Sequence, residues 1–73
     1  MVYIGEIIRD EVRSRGLTNE AFADMICVNR RTVNKLYNKQ SIDTLRLYQI
    51  SKALEIDFFK IYSDQLRNYV DNL

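Results

Sequence analysis

The chain has no histidine and no proline, one cysteine and two glycines among its 73 residues. Without histidine, and with a lone cysteine, the common zinc arrangements are excluded. Most histidine-based acid–base and nucleophilic catalysis is excluded with them. One cysteine cannot form an internal disulfide, which suits a reducing cytoplasm. No apolar run approaches the roughly 18 residues of a membrane span, and the start MVYIGEIIRDE lacks the apolar stretch of a signal peptide. No proline interrupts the chain, and no repeat, linker or low-complexity segment is visible. A cytoplasmic protein that is not an enzyme, with no metal and no cofactor, is the expectation.

What remains is ordinary globular chemistry, 47% apolar and 29% charged. At half the usual domain length, residues 1–73 read as one small domain. Such a domain buries only about 60% of its unfolded surface, so its core is thin and self-association matters. The net charge of +1 hides a strong asymmetry. Residues 1–27 carry three basic and five acidic side chains, and residues 53–73 carry two and four. Between them, Arg30, Arg31, Lys35, Lys39, Arg46 and Lys52 face Asp43 alone, a net +5. A basic middle between acidic ends suits a nucleic-acid face, and a merely solvated charge run is the competing reading.

Apolar residues recur at helical spacing from end to end. Ile4, Ile7, Ile8 and Val12 mark one face of a first helix that should stop near Gly16, a natural residue for a left-handed exit. Thr18 can cap a second helix with Phe22, Ala23 and Ile26 inside, which breaks near Cys27 and Val28. Asn29 can cap a third with Val33, Leu36 and Tyr37 inside. Asp43 can cap a fourth with Leu47, Ile50 and Leu54. Asp57 can cap a fifth, over about 57–73, where Phe58, Ile61, Tyr62, Leu66, Tyr69, Val70 and Leu73 recur at three- and four-residue steps. FFKIY could read as a strand, but no second strand exists to pair with it. The fold class is all-α.

Only a few residues separate the second and third helices, with apolar positions on both sides of the turn. That is the pattern of a helix-turn-helix, whose second helix lies in the major groove. The segment TNEAFADMICVNRRTVNKLYNKQSIDTLRLYQISKALEID resembles the lambda-repressor/Cro-like (XRE-type) family of DNA-binding proteins. The match runs through Thr18, Phe22, Ala23, Val28, Asn29, Val33, Leu36, Ile50, Ala53, Leu54 and Ile56. With the first helix it covers about residues 3–60, and the ending DFFKIYSD resembles short stand-alone bacterial members. The resemblance implies a compact five-helix domain with the helix-turn-helix at helices 2–3. Cys27, Lys39 and Glu55 stand where the family often has glycine, so the local turn geometry at those points is open.

Setting Val33 at zero and turning about 100° per residue puts Leu36 and Tyr37 on its side of the third helix. Arg31, Asn34, Lys35 and Asn38 fall on the opposite side, with Arg30 at the margin. Arginine and lysine can pair with guanine O6 and N7, and an asparagine amide can bridge adenine N6 and N7. Arg31, Asn34 and Lys35, then Arg30, are therefore the candidates for reading bases. Phosphate candidates are Thr18 and Asn19, where the second helix begins, with Asn38 at the end of the third. Lys39, Gln40, Ser41 and Arg46 lie where the resemblance implies a second phosphate-contacting patch. For Arg46 an ion pair with Asp43 is the equal alternative.

Other features read more plainly. Cys27 is expected as a small packing residue. Glu6, Asp10 and Glu11 are expected as surface charge, and Tyr37, Tyr48 and Tyr62 as core or core-edge residues. On the fifth helix Leu66, Tyr69, Val70 and Leu73 outrun the available core, so a homodimer through this end is the expectation, with a frayed tail as the alternative. The functional expectation is a sequence-specific, double-stranded DNA-binding transcriptional regulator acting as a repressor. The alternative is an antitoxin-like or adaptor module that binds a protein partner through the aromatic helix. RNA binding is a weaker third reading, and no membrane partner is expected.

Overall fold

The computed structural model describes residues 2–73. It contains α1 (Ile4–Ser14), α2 (Asn19–Met25), α3 (Arg30–Leu36), α4 (Thr44–Leu54) and α5 (Phe59–Asp71), with no strand among the described residues. No helix there is long and apolar enough to cross a membrane. Three of the expected caps form. Thr18 Oγ1 accepts the Ala21 N–H at 3.0 Å, Asn29 Oδ1 that of Thr32 at 2.8 Å, and Asp43 Oδ1 that of Arg46 at 2.8 Å. Each takes up a backbone donor that the helix itself cannot satisfy. Asp57 acts slightly differently from the expectation. Its carboxylate accepts the Phe59 N–H at 3.0 Å, but the helix begins after Phe58, whose ring turns into the core.

Helix stops follow one device. After α1 the Leu17 N–H reaches Val12 O and the Gly16 N–H reaches Arg13 O, with Gly16 at φ 70°. After α2 the Val28 N–H reaches Ala23 O and the Cys27 N–H reaches Asp24 O, with Cys27 at φ 57°. After α4 the Ile56 N–H reaches Ser51 O, with Glu55 at φ 56°. The left-handed exit is thus used three times, twice by a residue carrying a β-carbon, which costs about 1–2 kcal/mol at each position. Lys39 does not share this conformation, so its turn has no need of glycine.

The core gathers Ile4, Ile8, Val12, Phe22, Ala23, Ile26, Val33, Leu36, Tyr37, Leu47, Ile50, Leu54 and Phe58. Ile7, Val28 and Ile61 are only partly buried against it. α2 and α3 make the densest contact between helices, and the Phe22 and Tyr37 rings stack across it with centroids 6.4 Å apart. Two expectations need correction. Cys27 is exposed, because the left-handed exit turns it away from the core that Ile26 and Val28 occupy on either side. Tyr48 is 55% exposed and Tyr62 sits at the surface, because α4 meets the core through Leu47, Ile50 and Leu54 and α5 has run past it.

α1 fixes where α3 ends. The Gly5 N–H donates to Lys39 O at 3.0 Å and the Ile4 N–H to Gln40 O at 3.3 Å. A β-carbon on Gly5 would meet Lys39 O at 2.7 Å and Tyr37 O at 2.8 Å, and would press hardest on Leu36 O. All three obstacles are backbone, so nothing can swing aside. Gly5→Ala is expected to destabilise the fold by about 3 kcal/mol or more, the upper end of overpacking costs. Cys27→Gly is expected to stabilise it by about 0.5–1 kcal/mol through release of the left-handed strain. Urea unfolding followed by circular dichroism measures both, and effects of the same sign would contradict this geometry.

Candidate nucleic-acid interface

The second helix of the α2–α3 pair has two unlike sides. Val33, Leu36 and the C-cap residue Tyr37 are buried. Arg30, Arg31, Asn34, Lys35 and Asn38 are exposed, as the helical arc predicts. Thr18, Asn19, Glu20 and Arg30 line one shallow hollow, and Asn29, Arg30, Arg31 and Asn34 line the next. Arg30 belongs to both, so the start of α2 and the outer face of α3 form one continuous surface.

Within that surface, the four expected base readers are held differently. The Arg30 guanidinium pairs with the Glu20 carboxylate at 3.1 Å, with both side chains well exposed. Such a pair stabilises by at most about 1 kcal/mol, so it can open when a stronger acceptor arrives. Asn34 Oδ1 accepts from Asn19 Nδ2 at 3.2 Å, and Asn19 Oδ1 accepts from the Tyr37 hydroxyl at 3.1 Å. The side chains of Arg31 and Lys35 have neither an ion pair nor a hydrogen bond among the described residues. Of the six cations of the basic middle segment, only Arg30 is neutralised by an ion pair among the described residues. Lys52 lies elsewhere, in a hollow with Met25, Ile26, Cys27, Gln49 and Ala53.

The phosphate candidates surround this face in sequence but are held by separate contacts. Thr18 is occupied as a cap, and Asn38 Nδ2 donates to Asn34 O at 3.3 Å. Lys39, Gln40 and Ser41 expose their side chains on a loop whose carbonyls are held by α1. Arg46 does not pair with Asp43. Its guanidinium bonds Gln49 Oε1 at 3.2 Å, because the Asp43 carboxylate is turned onto the backbone N–H at the start of α4. Away from this face, Asp10 and Glu11 pair with Arg9 at 3.3 Å and Arg15 at 2.9 Å, as surface charge does.

α5 has no buried residue, and every residue from Tyr62 to Leu73 is exposed in a molecule 43 Å long and about 22 Å across. Leu66 is 62% exposed and Leu73 86%, with Tyr69 and Val70 between those values or just below them.

The model of the XRE-type, lambda-repressor-like helix-turn-helix family matches residues 8–61, and the chain belongs to that family of DNA-binding regulators. Neither curated proteins nor solved structures gave a significant match.

Three features of the surface lay outside the sequence expectations. Glu20, the Asn19 bridge and the Tyr37 hydroxyl each depend on how α2 lies against α3. Only the opposite charges of Glu20 and Arg30 on either side of the turn signalled one of them. Burial lifts the Tyr37 phenol above the ordinary tyrosine value, and the positive charge of Arg13 pulls it part of the way back. The raised folded-state value means that this contribution to stability is whole below the unfolded-state pKa and is lost as pH rises through the folded one. Thermal melts across the alkaline range should therefore show falling stability, and Tyr37→Phe should flatten that fall. An unchanged slope would place the hydroxyl in water.

Proposed function

We propose that the protein is a sequence-specific regulator that inserts α3 into the major groove of double-stranded DNA and represses by occluding promoter sequence. The observation that carries this reading is the outer face of α3, where Arg31 and Lys35 stand exposed and unneutralised above a buried backing of Val33, Leu36 and Tyr37. Arg31, Asn34 and Lys35 face base edges, joined by Arg30 once it exchanges Glu20 for an acceptor on DNA. Thr18, Asn19, Asn38, Lys39, Gln40, Ser41 and Arg46 contact phosphates and set the register of the domain on the duplex. The domain acts in the cytoplasm, on DNA it meets there.

Selection of bound sequences from a random duplex pool tests this directly. Log affinity against log salt should fall with a slope near −0.9 for each phosphate neutralised. Arg31→Ala should cost on the order of 1–3 kcal/mol on the selected site and relax one base position. The same selected motif at unchanged affinity would remove α3 from the groove.

Two copies of the domain join through the outer half of α5. At about 100° per residue, Phe59, Tyr62, Tyr69, Val70 and Leu73 all lie within about 60° of Leu66, whereas Lys60, Asp64, Arg67 and Asp71 lie about 100–160° away. The apolar face therefore carries no charge that a two-fold axis would set against its own copy. Lys60 and Asp64 already pair with each other at 2.7 Å on the outer side. A dimer offers two recognition helices to half-sites about one helical turn apart. Paired Leu66→Asp and Tyr69→Asp substitutions should shift sedimentation to the monomer with helical content kept, and a native protein monomeric at high concentration would remove the pairing. The same α5 face supports the second reading, an antitoxin-like or adaptor module holding another polypeptide. Its binding would respond weakly to salt where DNA binding responds steeply.

A further inference from the structure

We propose that Tyr37, a core residue, sets which base Asn34 prefers, by holding the Asn34 amide through Asn19 so that only its NH2 group faces the duplex. This rests on the reading that α3 enters the major groove. The chain of contacts begins inside the protein. The Tyr37 ring is stacked on Phe22 and only 7% exposed. Its hydroxyl donates to Asn19 Oδ1 at 3.1 Å. The direction of that bond has a physical cause: a phenol is a better donor than acceptor, since its lone pair is drawn into the ring.

An amide has one acceptor end and one donor end, so committing the first commits the second. With its oxygen on Tyr37, Asn19 presents Nδ2 to α3, where it donates to Asn34 Oδ1 at 3.2 Å. The Asn34 oxygen is thereby held toward α2, and its NH2 has no partner among the described residues. A free asparagine amide suits adenine because it can donate to N7 and accept from N6 together. With its oxygen turned toward α2, Asn34 faces the duplex with its NH2, for which adenine offers N7 alone beside an opposing N6 amino group. Guanine, with N7 and O6 both accepting, is the edge that fits, followed by thymine through O4. The expectation from residue type alone, adenine, is thus replaced by an acceptor edge. Tyr37 and Asn19 are positioning residues in this scheme, and Asn34 makes the contact.

The test is duplex selection with the native protein, Asn34→Ala, Tyr37→Phe and Asn19→Ala, each checked by thermal melting. The Asn34→Ala protein identifies the position that Asn34 reads, as the one whose preference disappears. Guanine or thymine there in the native motif is expected. Tyr37→Phe and Asn19→Ala should each raise adenine at that position by roughly three- to tenfold, the worth of one hydrogen bond; Tyr37→Phe should leave the other positions unchanged, and Asn19→Ala should also lower affinity through its lost phosphate contact. In the free proteins the Asn34 side-chain NH2 resonances should shift in both variants, a readout that needs no DNA. Adenine in the native motif would overturn the inference while leaving groove insertion intact. So would an unchanged motif in both relay variants, Asn34 resonances that do not move, or no position lost in Asn34→Ala. Enrichment of no duplex at all would overturn groove insertion, and this inference with it.

Discussion

The polar surface of α3 depends on the contact between the first turn of α1 and the carbonyls that end α3. The Gly5 and Ile4 N–H groups are donors that a helix start leaves unsatisfied, and Lys39 O and Gln40 O are acceptors just past the end of another helix. Joining them satisfies both and ties α3 to the longest apolar stripe in the first third of the chain. The backbones approach so closely that only glycine fits at position 5. Because the loop from Asn38 to Ser41 is held by its carbonyls, its side chains are left to face outward.

From that anchor the core and the surface communicate through very few groups. Tyr37 is the residue at which they meet: its ring packs with Phe22 and its hydroxyl reaches Asn19. Polar contacts on the surface itself are of two kinds. The exposed Arg30–Glu20 pair is weak and exchangeable, whereas the Tyr37–Asn19–Asn34 series begins at a buried ring and ends in an exposed amide–amide bond. A face that mixes unpaired cations with one prepared amide can combine non-specific attraction with discrimination, which are different physical tasks.

At the other end of the molecule the balance reverses. The core is complete at Phe58, with Ile61 at its edge, yet the apolar spacing of α5 continues for almost three more turns. A helix with one apolar face and its charges gathered opposite is stable in water only at a cost in exposed surface, which a second surface would relieve. The helix stops are also costly. Cys27 and Glu55 hold left-handed conformations without being glycine, so part of the stability of this thin core goes into keeping two turns tight.

The helices and most of their boundaries were legible in the residues, because capping and amphipathic spacing act within one or two turns. Thr18, Asn29 and Asp43 cap as their side chains allow, and Gly16 ends α1 as an achiral residue can. The division of α3 into a buried side and a polar side followed from the same arithmetic. Tyr48 escaped it, since spacing tells which residues share a face but not how much of that face a neighbouring helix will cover. Only the tertiary structure decided that Gly5 abuts the end of α3, that Glu20 lies on Arg30, and that Asn19 stands between Tyr37 and Asn34. Those pairings join residues 10 to 34 positions apart, and hydrogen-bond geometry between them exists only once whole helices have been set against one another by the packing of their apolar sides.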